Sequence, residues 1–238
     1  MTAASINTRI NLLLTSATGE SSPELGEALK REAERIQTQL PPHLTAGAGI
    51  GLNSADVARV IESLQGGGRS DFGSEGFQGL LWVVGPGGTI DELTQAVDGV
   101  AARLADFIDP ALSAAVAGTE EIFLPGDGPK AGMYAVRRLP TDTHEHFHDF
   151  WRLEHTKLSM YIPGFKYRQL HAAVYASKRA ADVAGLGISD IDGIIEYYFE
   201  SIQFQLDMLK LENFSEIYED EKNFIDHSRS TFSYVEFL

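Results

Sequence analysis

The sequence contains no cysteine, which excludes disulfides, thiolate metal sites, iron–sulfur clusters and a cysteine nucleophile. Positive charge is scarce: 19 Lys and Arg stand against 34 Asp and Glu, a formal net charge of −15. Such a balance repels phosphate backbones and anionic lipid, so neither nucleic acid nor membrane is an expected partner. No run approaches the ~20 apolar residues of a membrane span. Met1 to Asn11 also lacks the basic start and apolar run of a secretory signal, so a cytoplasmic protein is expected. There is no P-loop. Gly47-Ala48-Gly49-Ile50-Gly51 superficially suggests a dinucleotide loop, but Leu52 stands where the third glycine should be. Strand glycines that let backbones approach closely are the better reading. With no flavin, haem or metal motif in view, no cofactor is expected.

What is present suffices for a packed core: 238 residues, 43% of them hydrophobic. Arg9 to Thr15 reads as a strand. Ser22-Pro23 supplies an N-cap and a first-turn proline for a helix in which Leu25, Leu29, Ile36 and Leu40 keep helical spacing. Strands are expected over Leu44 to Leu52, Phe77 to Val84 and Ala114 to Leu124, with Gly66-Gly67-Gly68 as a loop. Between the last two strands, a Thr89/Glu92 capping box opens one continuous helical stripe from Ile90 to Ile108. After a linker at Asp127-Gly128-Pro129-Lys130-Ala131-Gly132 the order repeats. Met133 to Arg138, Phe165 to Ala173, Ile191 to Phe199 and Phe232 to Leu238 read as strands. An Asp142/Glu145 capping box opens a helix, and Ile202 to Leu211 supplies another. Phe77-Gln78-Gly79-Leu80-Leu81 parallels Ile191-Asp192-Gly193-Ile194-Ile195, which predicts two ferredoxin-like units in one chain.

Phe147, Trp151 and His155 recur at four-residue spacing and share one apolar helix face with Leu158. Together with Arg138-Leu139-Pro140, with Pro163-Gly164-Phe165-x-Tyr167-x-Gln169-x-His171, with Asp192-Gly193-Ile194-Ile195-Glu196 and with the acidic run Glu219 to Asp226, this pattern resembles the EthD-like family of the dimeric α+β barrel superfamily. The resemblance covers roughly residues 130 to 238. It implies an α+β barrel of paired antiparallel ferredoxin-like sheets, normally built between chains; here the two tandem repeats, a degenerate one at 1–126 and the EthD-like one at 133–238, are expected to supply both halves. A homodimer stays open as an assembly.

His155 is the first catalytic candidate, because imidazole both accepts and donates protons near neutrality. Tyr167 and His171 share a strand face with Gln169 and are read as a pocket wall facing the His155 helix. Phe147, His148, Trp151 and Arg138 are the expected substrate contacts. His144 and His148 lie one turn apart, but no third ligand is near, so no metal site is expected. Glu196 is read as a surface carboxylate or a partner of Arg138, and Asp192 as a supporting group. The resemblance implies lyase, dehydratase or isomerase chemistry, or cofactor-free oxygenation, on a small hydrophobic, aromatic or polyketide-like substrate. A protein that binds an apolar ligand without converting it is the non-enzymatic alternative. The helix from Pro23 to Leu40 contains no histidine or aromatic, so one working site is expected.

Overall fold

Strand β1 (Ser5–Leu14) sets Arg9, Asn11 and Leu13 on one face and Ile10, Leu12 and Leu14 on the other, and both faces are buried. A strand buried on both sides needs a second layer on each. In the computed structural model, which describes residues 5–52, 55–66, 76–159, 164 and 166–238, helices cover one face and the opposite wall of a barrel covers the other. The remaining strands are β2 (Thr45–Gly51), β3 (Gly79–Pro86), β4 (Ala114–Leu124), β5 (Lys130–Val136), β6 (Lys166–Ala172), β7 (Gly193–Phe199) and β8 (Thr231–Phe237). They close in the order β1-β3-β2-β8-β5-β7-β6-β4, each pair antiparallel. The first four strands form one ferredoxin-like sheet and the last four another. Their open faces meet inside, and their edges join at β2–β8 and β4–β6.

The glycines of Gly47-Ala48-Gly49-Ile50-Gly51 are strand positions. Gly47 pairs with Trp82, and a Cβ there would lie 2.4 Å from the Trp82 ring, so glycine is what lets the indole fill the barrel.

Helix α1 (Pro23–Gln39) starts at Ser22, whose hydroxyl accepts the Leu25 amide, and it buries Leu25, Leu29 and Ile36 against the first sheet. The stripe from Ile90 to Ile108 is not continuous. It splits into α3 (Ile90–Ala96) and α4 (Val100–Arg103), because Gly99 adopts a left-handed φ of 63° between them. Neither expected capping box forms. The Thr89 hydroxyl donates to the Pro86 carbonyl, and Thr143, rather than Asp142, caps the later helix by accepting the His146 amide. The last residues of the expected linker, Lys130 to Gly132, already belong to β5. Three helices had no counterpart in the sequence reading: α2 (Ala55–Gly66), α7 (Val174–Ala184) and α9 (Glu212–Glu221); α8 (Ile202–Met208) did. Gly66 ends α2; Gly67, Gly68, Pro163 and Phe165 lie outside the described residues.

The two units repeat down to individual hydrogen bonds. Gln78 and Asp192 stand just before β3 and β7. Their amides donate to Leu14 and Val136, and their carbonyls accept from Gly51 and Ala172. Their side-chain oxygens accept from the amides of Ser16 and Arg138. Phe107-Ile108-Asp109 with Ser113 likewise matches Phe224-Ile225-Asp226 with Ser230. Ser113 and Ser230 each donate to the preceding Asp carbonyl and accept the Thr15 or Arg137 amide. This F-I-D-x-x-x-S repeat is visible in the sequence itself.

Candidate functional site

The helix of the EthD-like motif is not uniform. It runs as α5 (His144–Phe150), widens to a π turn over Trp151–His155 and ends as α6 (Thr156–Ser159). A π turn inserts one residue and re-aims the side chains around it, and such turns concentrate at functional sites. Here the Trp151 carbonyl accepts from both the amide and the hydroxyl of Thr156. Phe147 and Trp151 are fully buried against the outer face of the second sheet. A Cβ on Gly193 would lie 2.5 Å from the Trp151 ring, which explains the glycine of Asp192-Gly193. In the first unit the matching glycine, Gly79, lies under Leu29 instead.

Beneath this helix the polar groups form one chain whose donors can be assigned in turn. Thr156 donates to Trp151, so its oxygen accepts from Gln169 Nε2 at 2.6 Å, and that fixes the amide orientation. Gln169 Nε2 and Trp151 Nε1 both donate to the Tyr167 hydroxyl oxygen. Gln169 Oε1 therefore accepts from His171 Nε2 at 2.8 Å. His171 Nδ1 is then an acceptor, filled by His148 Nδ1 at 2.8 Å, and His148 Nε2 accepts from His144 Nε2 at 3.0 Å. His144 shares its proton with the Ala172 carbonyl. Neutral imidazoles satisfy every one of these bonds. Burial above all, then neighbouring His144 and Arg152, pushes His148 down to about 3; burial with His148 and Arg152 pushes His171 down to about 2.

His155 belongs to a different contact set. Its ring is 1% exposed, lies 5.0 Å from the Phe224 ring, and its Nδ1 is 2.7 Å from Asp220 Oδ2 on α9. A carboxylate accepts only, so Nδ1 carries the proton and Nε2 keeps a lone pair. Asp220 is the residue that the sequence reading did not single out. Within the acidic run Glu219 to Asp226, nothing in the sequence distinguishes Asp220 from its neighbours.

Tyr167, His171, His148, Trp151 and Phe147 are thus brought together, and His155 sits one helical turn beyond Trp151. Arg138 stands apart. It pairs with Asp192 and lines a cavity of about 240 Å³ with Asp190, Val174 and Arg229. Glu196 is neither a surface carboxylate nor a partner of Arg138. It is buried inside the barrel, bonded to Asn11, Tyr198 and Arg9, because Ile194, Glu196 and Tyr198 alternate onto the inner face. Among the described residues no cluster of His, Asp or Glu is arranged to hold a metal ion. No helix among them is long and apolar enough to cross a membrane.

The EthD domain family model matches residues 139–228. That stretch of the chain is similar to an EthD domain. All the expected site residues fall within it except Arg138, which precedes it by one residue, and Asp220 falls within it too. A candidate monooxygenase from Lactobacillus acidophilus superposes with a TM-score of 0.52 at 13% identity, covering 97% of this chain and 93% of that one. One from Fusobacterium nucleatum gives 0.52 at 10%, covering 100% and 94%. A candidate chlorite dismutase gives 0.50 at 12%, covering 98% and 94%. At such identity the likeness is one of fold, and it extends over both units, well beyond the EthD domain. Among curated proteins nothing matches.

Proposed function

We propose that the protein is an enzyme that moves a proton on a small aromatic or polyketide-like compound, as a lyase, dehydratase or isomerase, with His155 as the base. The observation that carries this reading is the His155–Asp220 contact of 2.7 Å at the π turn. Asp220 fixes the tautomer that leaves Nε2 basic, and its charge stabilises the imidazolium once Nε2 has taken a proton from substrate carbon or oxygen. The same proton then returns to the leaving oxygen or to a new carbon, so the reaction closes without an oxidant. His171 has both ring nitrogens engaged by the protein. Its part in this reading is to hold Gln169, and through it the Tyr167 hydroxyl, which polarises a substrate oxygen. Phe147 and Trp151 supply the aromatic wall.

A panel of hydroxylated aromatic and polyketide-like compounds, followed by mass spectrometry with an oxygen electrode in the same vessel, tests this reading. Loss of water or isomerisation without oxygen uptake is expected. Stoichiometric oxygen uptake would favour a monooxygenase, the activity named for two of the fold relatives. Recovery of every compound unchanged, with one retained, would favour a binding protein.

A further inference from the structure

The interior of the barrel is apolar along most of its length, with Leu13, Leu80, Met133, Leu170 and Ile194 all buried. One end is different. There Arg9, 3% exposed, sends Nε to Asn11 at 2.8 Å and Nη1 to Glu120 at 2.5 Å, with Glu196 at 3.3 Å. The hydrogen bonds of Arg9 to described residues run through Nε and Nη1, not Nη2, and Arg9 lines a cavity of about 380 Å³. Its lining also includes Trp82, Val84, Asp127, Arg168, Tyr198 and Phe237. Arg9 lies over the Trp82 ring at 5.2 Å and Arg168 over Tyr198 at 4.6 Å, while Tyr198 and Phe237 stack at 5.7 Å. Trp82 Nε1 and Arg168 Nε are buried donors without a hydrogen-bond partner among the described residues. This wall has donors to spare, and none of its residues belongs to the His155 site.

We propose that this cavity is a second binding site, separate from the His155 site, that takes a small aromatic molecule bearing an uncharged hydrogen-bond acceptor such as a carbonyl or amide oxygen. The volume and the aromatic lining set the size and class. The charge count sets the polarity. Arg9 faces both Glu120 and Glu196, and Arg168 faces Asp127 and Glu120, so the carboxylates already outnumber the two guanidinium groups by one. A ligand carboxylate would bring a further anion to guanidinium groups that are already matched, and a ligand cation would face a surplus of donors. A neutral acceptor satisfies Arg9 Nη2 without disturbing either pair. Tyr198 does not compete, because its hydroxyl donates to Glu196.

Benzamide, benzoate and benzylamine are suitable probes, read by ligand-observed NMR on the full chain and by a soaked crystal. Benzamide should bind with a Kd on the order of 1 mM, at least tenfold more tightly than either charged analogue, with its oxygen facing Arg9. Val84→Trp fills the cavity without removing a charge and should weaken benzamide at least tenfold. Arg9→Lys keeps the charge but removes Nη2 and should weaken it less. Preference for benzoate, or binding indifferent to Val84→Trp, would overturn the proposal. So would binding lost in His155→Ala and kept in Val84→Trp, which would locate the probe at the proposed catalytic site instead. Because these readouts need no turnover, failure here leaves the proton-transfer reading standing, and the converse holds as well.

Discussion

At the scale of single residues, the histidines divide into two kinds that spacing alone cannot separate. His171 and His148 are held neutral by burial and by each other's bonds, and His155 is paired with a carboxylate. This predicts a pH signature in stability. The folded-state values of His148 and His171 lie at about 3 and about 2, below those of the unfolded chain. The unfolded chain therefore binds protons that the folded one refuses. The contribution of these two residues is complete above about pH 6.5 and shrinks as pH falls, by up to about 2–3 kcal/mol per pH unit for the pair together. Urea unfolding between about pH 7 and about pH 5, where carboxylates are still mostly ionised, should show that fall; a flat profile would contradict the neutral chain. Asp220→Asn should cost roughly 10²-fold in kcat, since an amide no longer dictates the His155 tautomer or stabilises its protonated form. Unchanged turnover in that variant would remove the orienting role. Asp220 was not legible because its partner lies 65 positions away in the sequence, on another helix. Glu196 departs from its expected surface position because one strand's alternation does not tell which face a closed barrel buries.

Among the elements, strands and long apolar helices were legible to within a few residues, and the errors have physical causes. Helix α7 escaped because its buried stripe is Ser177, Ala180, Ala181 and Ala184: helical in spacing, yet too small to register as apolar. The stripe from Ile90 to Ile108 kept its period across a left-handed glycine, which periodicity does not see. The π turn was equally invisible, being a property of the hydrogen bonds under Trp151 rather than of its spacing. The contact between that turn and β7 makes a direct prediction. Gly193→Ala places a Cβ against the Trp151 ring and 2.8 Å from the Leu170 carbonyl. The cost should be about 1–3 kcal/mol by chemical denaturation, with shifted Trp151 fluorescence. Wild-type stability would show that the ring is not seated on the glycine.

For the whole molecule, the duplication explains both the closed barrel and its asymmetry. The repeated bonds around Gln78 and Asp192, and around Ser113 and Ser230, preserve the frame of each unit. The side chains over the frame have diverged: Leu29 covers Gly79 where Trp151 covers Gly193, and α1 carries no histidine. One proton-transfer site per chain should follow, and titration with a slow substrate analogue should saturate at one equivalent there; two equal sites would contradict it. In the proposed reaction His155, oriented by Asp220, moves the proton. The most direct test of this role is the turnover of folded His155→Ala, checked by circular dichroism, on the first panel compound that the wild type converts. A loss of about 10²–10⁴-fold in kcat is expected. A rate within a factor of about three of wild type would contradict it.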